Sequence, residues 1–264
     1  MNIATAQLPA QSGDDRVIVS AHGVVMLDGA TTFDPDMPSA SAYVDVLAEE
    51  LNRRLGSSQD LRTVLSDAIA ATADQLRLEP EHAPTSTVSV LRTNPGTVDL
   101  LVLGDSPIVV GRNGSADLIT DRRMAELNLP ESEQYRQRLA SGSGYDEHHY
   151  NLLRSLQRKQ RNHRNQPGGY WIAEADPSAA DHALVTNYRL HEIDWVVLAT
   201  DGASNPLGPL NVSWAEVARM DACGLAQLLT RCQRWETEID PCGQLQPRSK
   251  RHDDKSIAVA TLDA

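Results

Sequence analysis

The sequence predicts an α+β fold in which antiparallel strands carry helices on their outer side. Three observations predict it. Strand-like segments come first, two helical segments follow and strands return, an order that suits an antiparallel sheet and not alternating strand–helix–strand units. Four apolar runs each meet an acid at one end: residues 24–27 run into Asp28-Gly29, 100–104 into Asp105 and 195–200 into Asp201-Gly202, while Asp253-Asp254 stands just ahead of 257–260. The 264 residues are 41% hydrophobic with a single Phe and only 4% aromatics, so the core is aliphatic and large enough to need no staples.

Taken in order, residues 1–13 read as a lead-in or an edge strand, and 16–20 and 23–27 as two strands joined at Ala21-His22. Residues 31–38, with two prolines, read as a loop. Tyr43, Val46, Leu47, Leu51 and Leu55 then recur at helical spacing, with Ser39 or Ser41 as the cap, until Gly56-Ser57-Ser58 breaks the helix. A second helix carries Leu61, Val64, Leu65, Ile69, Ala73 and Leu76 on one face and ends before Pro80. Strands follow at 85–93, 98–103, 108–110 and 118–119, the first two joined by a turn at Asn94-Pro95-Gly96. Residues 121–169 are polar, with helices near 132–139 and 147–161, and read as a flap beside the site. Strand character returns at 170–172, 182–188 and 195–200; helices are expected at 213–220 and 222–236, and a last strand at 256–261. With no repeat and no linker, the chain reads as one domain spanning 1–264, with the variable flap at about 121–169.

The net charge of −12 argues against nucleic acid and anionic membranes as partners and suits a site that gathers cations. Cys223, Cys232 and Cys242 form no C-x-x-C pair, so they are expected as buried small residues and not as zinc ligands or disulfides. The first 13 residues have no signal-peptide pattern and no apolar run is long enough to span a bilayer, so a cytoplasmic location is the default expectation. Arg154, Arg158, Lys159, Arg161 and Arg164 form a basic run that reads as a solvated helix face or a docking patch. His148, His149 and His163 read as surface residues, and His252 as a loop residue beside Asp253.

An isolated Asp-Gly after a strand is commonly a hairpin turn. Acids at several strand ends are a different matter, because an unpaired carboxylate at the edge of a core calls for a cation or water. Hard divalent ions such as Mg²⁺ and Mn²⁺ take oxygen ligands of this kind, and a pair of them activates water and grips phosphoryl oxygens. A glycine after the acid lets the backbone carbonyl come close to an ion.

In their order, the motifs resemble those of the metal-dependent serine/threonine protein phosphatases of type 2C, over almost the whole chain. They are Asp14-Asp15-Arg16-Val17, Val25-Met26-Leu27-Asp28-Gly29-Ala30, loosely Thr85-Ser86-Thr87, then Gly104-Asp105-Ser106, Leu198-Ala199-Thr200-Asp201-Gly202 and Asp253-Asp254. The resemblance implies a four-layer α-β-β-α sandwich of two antiparallel sheets flanked by helices. It implies hydrolysis of phosphoserine and phosphothreonine in a phosphorylated protein substrate, by water bridging two divalent metals, Mn²⁺ or Mg²⁺. Asp28 would bridge both metals, and Asp201 and Asp253 would hold the first with it. The Gly29 carbonyl and Asp14 or Asp15 would serve the second, and Asp105 a weaker third. Asp28 and Asp201 would then act in catalysis through the metal-activated water.

Several positions depart from the family pattern. Ala10 stands where the family often has a phosphate-binding Arg, which leaves Arg16 or a flap Arg as the substitute. Ala30 follows Asp28-Gly29, Pro107 follows Gly104-Asp105-Ser106, and Asn205 replaces an acid that would strengthen the third metal. The missing Arg leaves two alternatives: a degenerate phosphatase-like domain that binds partners, or a metal-dependent phosphatase of small phosphorylated metabolites.

Overall fold

The computed structural model describes residues 1–10, 13–30, 40–80 and 82–262. Along the chain the elements are β1 (Asn2–Leu8), β2 (Asp15–Ser20), β3 (Gly23–Gly29), α1 (Ala40–Arg54), α2 (Leu61–Leu76), β4 (Ser86–Asn94), β5 (Thr97–Leu103), β6 (Ile108–Arg112) and β7 (Ser115–Ile119). There follow α3 (Arg123–Glu126), α4 (Pro130–Ala140), α5 (Glu147–Arg161), β8 (Leu184–Arg189), β9 (Trp195–Ala199), α6 (Asp201–Ser204), α7 (Trp214–Val217), α8 (Ala222–Glu238) and β10 (Lys255–Thr261).

Aliphatic residues on both faces of the strands dictate two stacked sheets. One sheet runs β1-β10-β9-β6-β7 and the other β2-β3-β4-β5-β8, every pairing antiparallel. Val24, Met26, Leu100 and Val102 of the second sheet meet Ile108, Val196, Leu198 and Ala258 of the first in a layer between the sheets. Alternate residues point the other way, as the two-residue period requires. Val25, Leu27, Val88 and Leu101 pack against Tyr43, Leu47, Leu51 and Leu65 of α1 and α2. On the opposite face Val197, Ala199, Ile257 and Val259 pack against Leu225, Leu228 and Leu229 of α8. The four layers are therefore helix, sheet, sheet, helix, as the resemblance implied.

Local chemistry sets the helix ends. Asp60 caps α2 by accepting from Arg62 N–H at 3.0 Å and Thr63 N–H at 3.1 Å, an interaction worth about 1 kcal/mol. Asp146 and Asp221 do the same for α5 and α8. The second helix stops at Arg77 in the left-handed conformation, three residues ahead of Pro80. Ser41 lies inside α1, so it does not cap it, and Ser39 and the loop at 31–38 fall outside the described residues.

Three other expectations need correction. Residues 170–172 form no strand: Tyr170 makes one bridge to Arg164, and the chain rejoins the sheet only through Ala173 and Ser86. His182 belongs to a 3-10 turn, and strand pairing starts at Leu184. Of the cysteines only Cys232 is buried, while Cys223 and Cys242 are exposed.

One buried ion pair joins α8 to the start of β10. Lys255 is 1% exposed, and its Nζ lies 3.0 Å from Glu236 Oε2 and donates to the Asp253 carbonyl at 3.0 Å. His252 Nδ1 stands 2.9 Å from the same Glu236 oxygen. Removing one partner of such a pair strands a buried charge, whereas replacing both by apolar groups of similar volume is far cheaper. Lys255→Met is therefore expected to lower unfolding free energy by about 3–5 kcal/mol, and adding Glu236→Leu to recover most of it. Denaturant titration checks this, and a single-variant loss below about 1 kcal/mol, the range of exposed pairs, contradicts it.

Candidate metal centre

The antiparallel register puts two acids side by side: Asp15 of β2 pairs with Asp28 of β3. Asp201 opens the short α6 at the end of β9, and Asp253 stands two residues before β10, the strand that pairs with β9. Asp105 follows β5. Strand ends from both sheets thus bring Asp28, Asp105, Asp201 and Asp253 to the lining of one cleft of ≈ 720 Å³.

The approach is close enough to exclude side chains. A Cβ on Gly202 would come within 2.1 Å of the Asp254 carbonyl oxygen and 3.1 Å of Asp253 Cβ. One on Gly29 would lie 2.8 Å from the Asp14 carbonyl oxygen. Both glycines that follow the acids are therefore required for packing; Asp28-Gly29 lies within β3 and is no hairpin turn. The small-residue motif supports the same place, since the Ser86 hydroxyl donates to the Asp28 carbonyl at 3.1 Å. Ser106 is likewise fixed, its hydroxyl 2.6 Å from that of Thr87.

Asp14 and Asp15 have separate tasks. The Asp14 backbone accepts from Gly29 N–H at 3.2 Å and donates to Asp254 Oδ2 at 2.6 Å. Asp254 also takes the Ala10 N–H, so it ties the N-terminal segment to β10. Asp15 is the acid that joins the cluster. Its Oδ2 accepts from the Thr200 hydroxyl at 2.9 Å, and that hydroxyl accepts the Ser256 N–H at 2.9 Å.

Crowding shows in the acidities. Burial pushes Asp15 up to about 8, with Asp254 and Asp253 adding repulsion. Burial raises Asp28 well above the ordinary carboxylate range, helped by Asp15, Asp201 and Asp253. Asp201 goes up to about 7 through burial, Asp253 and Asp105, and it stands within hydrogen-bonding distance of Asp28. Asp105 is raised mainly by burial and then by Asp121. Carboxylates held together in this way call for shared protons or a cation.

The donor set is all oxygen, the kind that hard divalent ions take. Among the described residues, however, no three acids, histidines or cysteines are grouped closely enough to hold one ion. The acids converge as neighbours and stop short of a closed coordination shell. A side chain the sequence reading passed over stands among them: Lys250 Nζ lies 2.6 Å from Asp253 Oδ1, and its charge also reaches Asp28 and Asp201. Its position three residues ahead of Asp253 was the available signal.

Arg16 is committed elsewhere. Its guanidinium pairs with Asp45 and donates to Ser41 Oγ at 2.9 Å and to the Gly13 and Asp15 carbonyls at 2.6 Å each. Arg136, Arg161 and Arg164 from 121–169 do line the cleft. Arg164 pairs there with Glu174, whereas Lys159 pairs with Glu131, so the basic run is divided between cleft and surface. His149 is fully buried, contrary to expectation. Its Nε2 lies 2.8 Å from the Ser249 carbonyl, which only accepts, so that nitrogen carries the proton. His252 faces Glu236.

No family model matches the chain. A stretch of 117 residues is 26% identical to homoserine kinase of Natronomonas pharaonis; it covers 44% of this chain and 40% of that protein, less than half of either. Solved structures match end to end. Serine/threonine phosphatase Stp1 from Staphylococcus aureus superimposes with a TM-score of 0.62 at 12% identity, covering 99% of this chain and 95% of that one. The catalytic domain of serine/threonine protein phosphatase PstP, in complex with two manganese ions, gives 0.56 at 15% identity, covering 98% and 97%. The PPM Ser-Thr phosphatase MsPP from Mycobacterium smegmatis, in complex with cacodylate, gives 0.58 at 15% identity, covering 100% and 99%. The chain therefore has the fold of bacterial PPM serine/threonine phosphatases.

The acidities have a consequence for the metal-free chain. Asp15 and Asp201 bind protons more tightly folded than unfolded, so their contribution to stability is complete below the ordinary carboxylate pKa of ~4 and is lost as pH rises through about 7–8. In EDTA the thermal midpoint is expected to fall between about pH 5 and about pH 8.5, and the fall to be smaller in Asp201→Asn. A midpoint that rises across that range contradicts the crowding described.

Proposed function

We propose that the chain is a metal-dependent phosphatase acting on phosphoserine and phosphothreonine in proteins. The observation that carries this reading is that Asp28, Asp201 and Asp253, at the ends of strands from both sheets, line one cleft. The end-to-end fold likeness supports it.

Asp28, Asp201 and Asp253, drawn closer together than they stand, would hold one divalent ion, and Asp28 with Asp15 and the Gly29 carbonyl a second. Asp14, whose backbone braces Gly29, takes a supporting role. Asp105 would belong to a weaker third position, since Asn205, also on the cleft, brings no charge. When bound, Mn²⁺ or Mg²⁺ supplies positive charge that lowers the pKa of water and draws in phosphoryl oxygens.

The chain's own residues do the rest. The glycines at 29 and 202 let the strand ends approach, and the Ser86 hydroxyl holds the Asp28 backbone. The raised proton affinities of Asp15, Asp28 and Asp201 mean that a cation would relieve this cluster. Residues 121–169 act as the flap of a one-domain enzyme. Arg136 and Arg161, which line the cleft from that segment, meet the phosphate that the absent Arg at position 10 would otherwise hold. Among the described residues no helix is long and apolar enough to cross a membrane.

The test is turnover of a phosphothreonine peptide with Mn²⁺ and with EDTA, beside Asp201→Asn. Activity is expected to need the metal and to drop by at least about a hundredfold in the variant, the scale seen when a group stabilising transition-state charge is removed. Unchanged circular dichroism would show that the fold persists. Near-full turnover by Asp201→Asn in Mn²⁺ contradicts the site. Activity on small phosphate esters alone moves the substrate class to metabolites.

A further inference from the structure

The cleft's acids already have a cation of their own. Of 24 basic residues only three are lysines, Lys159, Lys250 and Lys255, and two of these stand among buried acids at the β10 end of the site. Lys255 is structural, sealed against Glu236. Lys250 is different, because it lines the cleft together with Asp28, Asp201 and Asp253. Its side chain is 23% exposed, and its Nζ lies 2.6 Å from Asp253 Oδ1.

Lys250 is held there by its loop. The Asp240 carboxylate accepts the N–H groups of Leu245 and Gln246 at 3.0 and 3.1 Å and pairs with Arg248 at 2.7 Å. The Arg248 guanidinium also donates to the Asp240 and Arg251 carbonyls at 2.7 and 3.1 Å. Gln246 Nε2 donates to the Asn205 carbonyl at 2.7 Å, four residues beyond Asp201. From the 121–169 segment, His149 grips the Ser249 carbonyl at 2.8 Å, one residue before Lys250. A lysine so placed is a positioned charge and no loose surface chain.

An ammonium is a compact point cation with three donors, so it asks of carboxylates much what a hard metal ion asks. Asp28, Asp201 and Asp253 with one ammonium leave two negative charges, the complement of the one divalent ion those three acids would hold. We propose that Lys250 is a resident cation of the acidic centre: it supplies part of the charge that divalent ions would bring, and an ion reaches Asp253 only by displacing it. This rests on the metal-centre reading but not on turnover.

Calorimetric titration with Mn²⁺ tests it, comparing the native chain with Lys250→Gln, which removes the charge, and Lys250→Arg, which keeps it. The Gln variant is expected to bind Mn²⁺ about tenfold more tightly, a change of about 1.4 kcal/mol, and the Arg variant to bind as the native chain does. Equal affinity in native and Gln proteins, binding absent from both, or the same change in both variants overturns the proposal.

A second measurement needs no variant. Acetic anhydride labelling read by mass spectrometry is expected to rise severalfold at Lys250 when Mn²⁺ is added, with the sealed Lys255 unchanged. Labelling of Lys250 that stays constant or falls overturns it. A chain that binds Mn²⁺ in this pattern yet hydrolyses no phosphopeptide leaves the inference standing and refutes only the phosphatase reading.

Discussion

The site depends on one buried hydroxyl. Thr200 Oγ1 donates to Asp15 of one sheet and accepts the N–H of Ser256 in the other, each at 2.9 Å. It stitches the two sheets together at the end where the acids gather. Two close contacts make that stitch possible, Gly202 against the Asp254 carbonyl and Gly29 against the Asp14 carbonyl. Neither position has room for a Cβ. Asp254 adds a second stitch by taking N–H groups from Ala10 and Asp14. Without these ties, burial of the aliphatic layers would still stack the sheets, but nothing would bring Asp15 and Asp28 to Asp201 and Asp253.

Bringing acids together has an electrostatic cost, and the chain meets it in two ways. Several buried acids have a cationic partner: Glu236 has Lys255, Asp240 has Arg248, and Glu174 has Arg164. At the strand-end cluster, Asp253, Asp28 and Asp201 share the charge of Lys250, and Asp15, Asp28 and Asp201 keep raised proton affinities. Acids in excess of their partner charges favour a cation.

Much of this was legible in the residues. Helical periodicity located α1, α2, α5 and α8, because each has one face against a sheet or a neighbouring helix. The strand-ending acids were visible because an Asp after an aliphatic run is conspicuous at any level of reading. What stayed hidden depends on partners distant in sequence. His149 looks like a flap histidine beside His148, yet its ring lies edge-on to Tyr135, Tyr145 and Tyr150 and reaches a loop a hundred residues on. Asp14 stands just before β2 and Asp15 opens it, and only the sheet register shows that Asp15 is the one paired with Asp28. Residues 170–172 have strand composition but lie beside the loop at 163–169, which takes their pairing. Lys250 carried no motif, and only the fold shows that it faces Asp28 and Asp201.

The central claim is that the strand-end acids form a divalent-metal centre, and the position of a bound ion tests it most directly. Anomalous diffraction from crystals soaked in Mn²⁺, with the data collected at the manganese edge, would locate it. The account predicts a peak in contact with Asp28 and Asp201, with Lys250 moved away from Asp253. Soaked crystals with no anomalous peak at those two carboxylates, or with ions only at surface acids, would contradict it.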